Sequence, residues 1–183
     1  MKKKSLALVL ALAMIVVCVV GGTLAWLIAT TPEVKNTFTT SDIDITLAET
    51  TGTSYQMIPG YTIAKDPKVT VLAGSEKCYL FVKVDKSTNF DTFMTYEMAA
   101  DWTALDGVNG VYYREVAAST DNQEFGVLKN DQVTVRDTVT KAMLNGLTEA
   151  TQPTLTFTAY ACQYNSSNGT SFTAAEAWAK VGA

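Results

Sequence analysis

Asp101-Trp102 and the nearby Asp106-Gly107-Val108-Asn109-Gly110 combine carboxylates, which can ligate a hard cation, with an indole that can stack on a sugar ring. Gly107 and Gly110 equally make the second stretch a natural turn. It lacks the D-x-[DN]-x-[DN]-G spacing of a calcium loop, so the turn is the stronger reading. Asp42 with Asp44, and Asp85 with Asp91, are acid pairs, but in strands and loops such pairs more often form solvated faces. The chain has no histidine, which removes the commonest general acid/base near neutral pH and the commonest zinc ligand. G-x-S-x-G elbows, H-E-x-x-H helices and phosphate-cradling glycine loops are also missing. No catalytic residue, metal site or cofactor is therefore expected, and the chain reads as a non-enzyme. Of the three cysteines, Cys18 lies in an apolar run. Cys78 and Cys162 are either a candidate disulfide or two buried free thiols, and neither belongs to a C-x-x-C pair.

The elements that must position these groups begin after a leader. Lys2-Lys3-Lys4 precedes fifteen apolar residues, Leu6 to Val20, in the pattern of a signal peptide. Gly21-Gly22 ends that helix, and Thr23 and Ala25 supply the small residues that favour a cut between Ala25 and Trp26. Left uncut, the 24 uncharged residues from Leu6 to Ala29 would span a bilayer, for which ~20 suffice. Membrane association is thus expected only through an uncleaved leader. Cleavage removes three lysines and no acid, taking the net charge from −4 to −7. An acidic body argues against nucleic acid, whose phosphates need Lys and Arg to displace their counterions. The expected organisation is a signal peptide at 1–25, an N-terminal segment at 26–38 and one β-domain at 39–183, secreted to the cell surface or the extracellular matrix.

Threonine occupies 27 of 183 positions and, with Val, Tyr and Phe, favours pleated, half-buried surfaces. Asp42 to Leu47 alternates polar and apolar, which predicts a strand with Ile43, Ile45 and Leu47 on its buried face. Asp66 to Val71 predicts a strand whose Pro67 suits a start or an edge. Cys78 to Val84 opens as an unbroken apolar run, as expected of a central strand covered on both faces. Met94 to Met98, Gly110 to Val116, Gln132 to Val135 and Thr154 to Cys162 read as further strands, the last with Leu155, Phe157, Ala159 and Ala161 on one face. Thr173 and Glu176 form a capping box before a helix that carries Ala177, Trp178 and Val181, and Thr140 to Leu147 predicts a shorter one. Together these predict an all-β, antiparallel β-sandwich with one or two short helices.

After Ala25 the chain continues with Trp26, Leu27 and Ile28, and reaches Val34 and Phe38 before the first strand. So apolar a segment needs a partner: its own sheet, or the open edge of a neighbour's sheet, in which case head-to-tail addition builds a filament. Lys2-Lys3-Lys4, Gly22-Thr23-Leu24-Ala25-Trp26, Asn36-Thr37-Phe38, the Asp42 to Leu47 alternation, Pro59-Gly60 and Lys65-Asp66-Pro67 resemble the TasA/camelysin family of secreted bacterial proteins. That resemblance implies a jelly-roll-like sandwich and processing by a SipW-type signal peptidase at Ala25. It also implies assembly into extracellular biofilm-matrix fibres as a main or minor subunit, with Trp26 to Phe38 as the donor strand. Partners would be further copies of the chain and other matrix subunits. Pro32 interrupts a continuous ladder in that segment, and Leu27-Ile28 is more apolar than the start associated with the family. Competing readings are a cell-surface binding module using the loops near Trp102 and Asp106, and a camelysin-type peptidase, which would have to work without histidine.

Overall fold

A computed structural model describes residues 42–52 and 54–182. The expected leader, the expected Ala25/Trp26 cleavage site and the candidate donor residues Trp26, Leu27, Ile28, Val34 and Phe38 lie outside them. The first half runs β1 (Ile45–Ala48), β2 (Thr62–Ala64), β3 (Lys68–Val71), β4 (Cys78–Lys86), α1 (Phe90–Phe93), β5 (Met94–Thr95) and β6 (Thr103–Ala104). The second runs β7 (Val111–Val116), β8 (Gln123–Gly126), β9 (Gln132–Val135), α2 (Lys141–Asn145), β10 (Leu155–Gln163) and α3 (Ala174–Val181). Every strand pairing is antiparallel, in three sheets ordered β1-β3-β8, β10-β4-β7-β6 and β2-β9-β5. The described chain is an all-β fold with three short helices.

Two of the sheets face each other. Cys78, Leu80, Val82 and Val84 of β4 point inward to meet Val69 and Val71 of β3, with Ile43 and Ile45 completing that layer. The remaining residues of β4 point the other way, where Tyr79 and Phe81 pack under α3 through Ala177 and Trp178. This two-sided coverage is why β4 opens with five consecutive buried residues, each worth about 1.5–3 kcal/mol when large and apolar. The apolar run at Cys78 to Val84 is a central strand, as its sequence implies. β10 presents Leu155, Phe157, Ala159 and Ala161 to the inter-sheet core, also as its alternation implies. The third sheet buries Ile63 and Val135 against Phe93 and the α2 side chains Met143 and Leu144.

Pro67 immediately precedes β3, so its missing N–H costs no ladder bond, and β3 is the middle strand of its sheet rather than an edge. The first strand is shifted: β1 begins at Ile45, and Leu47 is 37 % exposed instead of buried, because it stands at the sheet edge beyond the reach of the core. The strand expected over Met94 to Met98 shortens to Met94–Thr95, with a lone bridge from Met98 to Leu128. β2, β6, β8 and α1 carry no clear period in the sequence, because each is only two to four residues long.

Candidate functional site

Three strands end a sheet on the same side of the molecule. Among the described residues β1 pairs only with β3, β10 only with β4, and β2 only with β9. A groove of about 1020 Å³ lies where these edges converge, walled by Leu47 and Ala48 of β1, Leu155 and Phe157 of β10, and Ile63 of β2. Phe90 and Val133 also line it, and Leu144 and Leu147 add apolar surface from α2 and the residues after it. Strand edges carry unpaired N–H and C=O groups, so a partly apolar groove bordered by them is chemically suited to an extended peptide.

The chain between β1 and β2 forms the remaining wall through Tyr55, Met57 and Ile58. It is braced at its start by Asp66, whose carboxylate accepts hydrogen bonds from the amides of Thr50 and Thr51, each at 3.0 Å, and from the Thr50 hydroxyl. The Thr50 hydroxyl, with those amides, holds the Asp66 carboxyl well below the usual carboxylate range. The Tyr55 hydroxyl donates to the Gly52 carbonyl and lies 3.1 Å from Thr51 Oγ1. Farther on, Gly60 N–H donates to the Val135 carbonyl at 3.1 Å, which ties the Pro59-Gly60 turn to β9. Ile58 and Tyr61 flank that turn at 53 % and 57 % exposure, the most exposed of the large apolar side chains among the described residues.

Uncharged polar side chains, Ser54, Gln56, Gln152, Thr154 and Thr156, share the lining, and Glu49 and Lys65 are its charged pair. Lys65 Nζ lies 2.7 and 2.9 Å from the two carboxylate oxygens of Glu49, and the side chains retain only 12 % and 19 % of their exposure. The same ammonium stands 5.3 Å from the centre of the Tyr55 ring and 5.8 Å from that of Phe157. Nothing in the sequence marks Glu49, or Lys65 beyond its place in Lys65-Asp66-Pro67, as one of a pair. They lie one residue beyond the ends of β1 and β2, and only the meeting of two sheet edges brings them together.

The sequence-predicted groups fall elsewhere. Trp102 is buried, not exposed: its Nε1–H donates to the Gly126 carbonyl at 2.8 Å, and its ring packs in the inter-sheet core. Arg114 covers it, with the guanidinium carbon 5.6 Å from the Trp102 ring and 4.0 Å from the Phe125 ring, so no indole face is offered to a sugar. Asp106 to Gly110 is a turn, with φ of +76° at Gly107 and +74° at Gly110. Asp85 and Asp91 are ion-paired on the surface to Lys83 at 3.1 Å and Lys86 at 2.7 Å. No group of three or more potential metal ligands occurs among the described residues.

The candidate disulfide between Cys78 and Cys162 is not formed; both thiols are free. In the β4–β10 ladder Cys78 sits opposite Gln163 and Cys162 opposite Tyr79. That offset of one residue sends the thiols to opposite faces of the sheet, Cys78 into the inter-sheet core and Cys162 beneath α3. Burial pushes the Cys78 thiol up to about 11 and raises that of Cys162 as well. Comparison of the chain with family models, curated proteins and solved structures returned no match.

Proposed function

We propose that the protein is a secreted structural subunit, main or minor, of extracellular matrix fibres. Each copy donates its N-terminal segment Trp26 to Phe38 to the groove of the next. The observation that carries this reading is the convergence of three sheet edges on one groove with a partly apolar wall. Such a surface accepts an extended apolar peptide by completing the unpaired backbone ladder and covering its side chains. The sequence supplies a segment of that character between the leader and β1. Donation from copy to copy is head-to-tail and does not close, so it produces a filament.

The resemblance of the first seventy or so residues to the TasA/camelysin family agrees with this reading. It adds a jelly-roll-like topology, cleavage after Ala25 by a SipW-type signal peptidase, and a biofilm matrix as the destination. The binding-module alternative loses its main residue, because Trp102 is committed to the core.

Deleting Trp26 to Asn36 tests the proposal. The shortened chain is expected to keep its circular-dichroism spectrum and cooperative unfolding while failing to form filaments. Filaments of the deleted chain in electron micrographs would overturn the proposal.

A further inference from the structure

Apart from Glu49 and Lys65 the groove is lined by uncharged side chains, apolar ones together with Ser54, Gln56, Gln152, Thr154 and Thr156, so these alone would tolerate a donor strand in several registers. The exception is the Glu49–Lys65 pair, four-fifths or more buried, with charges fixed 2.7 Å apart where the edges of β1 and β2 meet. The segment from Trp26 to Phe38 mirrors that composition. Its side chains include one acid, Glu33, and one base, Lys35, and otherwise no charge. Residues two apart on a strand share a face about 7 Å apart, so Glu33 and Lys35 would project together while Val34 projects the opposite way.

Resting on the strand-donation reading, we propose that the Glu49–Lys65 pair sets the register of the junction between copies. It receives Glu33 against Lys65 and Lys35 against Glu49 from the N-terminal segment of a second copy. In that register the junction holds four alternating charges and Val34 meets the uncharged remainder of the groove. A slip of one residue turns both charges away from the pair onto an uncharged wall, where lost hydration finds no opposite charge to offset it. A slip of two residues sets like charges against each other. The pair therefore selects one alignment out of several that the apolar contacts alone leave nearly equal, as a single buried polar contact does in coiled coils.

Two swaps test this in the exported chain. The acceptor swap, Glu49→Lys with Lys65→Glu, keeps an ion pair and reverses its polarity. The donor swap, Glu33→Lys with Lys35→Glu, changes only residues outside the β-domain and so leaves its fold intact. Elongation followed by light scattering and electron microscopy is expected to slow about tenfold or more for either swap alone. A one-to-one mixture of the two swapped chains is expected to regain the parental rate, because each donor then finds the matching groove on the other species.

Parental elongation by the donor-swapped chain alone would overturn the register assignment. With the Trp26 to Asn36 deletion still blocking assembly, strand donation would survive that result. Assembly of the deleted chain would remove both. Recovery only when both swaps sit on one chain, and not in the mixture, would mean that the segment docks into its own groove, and would overturn the second copy as occupant.

Discussion

Gly110 holds a φ of +74°, and a Cβ built there would stand 2.6 Å from the Val84 carbonyl oxygen, closer than any side chain tolerates. The same residue accepts a hydrogen bond from Val84 N–H at 2.7 Å, so it cannot retreat without loosening the end of β4. Gly110→Ala combines the left-handed backbone penalty with that clash, and is expected to destabilise the domain by about 2 kcal/mol or more. Urea unfolding measures this as a lower midpoint at unchanged slope. In the sequence Gly107 and Gly110 mark a turn, which is what they form; the contact with Val84 is invisible there because it depends on strand pairing across the chain. Trp102 is the opposite case. Its neighbours Asp101 and Asp106 suggest an exposed ligand site, but the indole finds the Gly126 carbonyl inside the core, and that pairing lets a large amphipathic ring be buried without loss.

The terminal helix α3 shows how an element is set by its first residue. Thr173 accepts from Glu176 N–H at 3.3 Å while the Glu176 carboxylate accepts from Thr173 N–H at 2.8 Å, and Trp178 then packs 5.3 Å from the Phe81 ring. Thr173→Ala removes one half of this reciprocal cap and is expected to cost about 1 kcal/mol, read as a fall of about 3 °C in the unfolding midpoint. Elements of this kind, with a cap or a sustained period, are legible from residues alone: α2 with Thr140 at its start and Gly146 at its end, β4 and β10 are all where the pattern puts them. β2, β6 and β8 are not, because pairing with a neighbour rather than any local period makes them strands. The exposed Leu47 has the same origin. Its alternation is real, but sheet width decides whether an alternating residue meets a core, and β1 is an edge.

For the molecule as a whole, Cys78 and Cys162 report on two different layers, since one thiol lies between the sheets and the other beneath α3. With the Cys78 thiol raised to about 11, its thiolate fraction at pH 8 is about one in a thousand, and burial blocks reagents from reaching it. Native protein is expected to resist iodoacetamide at both positions, and a denaturant series to expose them over one shared range; mass spectrometry that finds Cys162 alkylated well before Cys78 would show that the α3 layer opens separately. A sandwich of antiparallel sheets was legible in the strand pattern, but which strands face each other and the meeting of three edges were not, because they rest on which distant strands pair. The N-terminal residues could be read only as a resemblance and as an apolar segment in need of a partner. Distance along the chain also has a consequence in time. β4 is enclosed by β10, whose residues follow their partners by roughly 70 to 85 positions. At a synthesis rate of about 5–20 residues per second, β4 waits roughly 4–17 s for the strand that seals its edge. Until that strand emerges, the longest ladder of the domain stays half paired, so the sheet closes only near the end of synthesis.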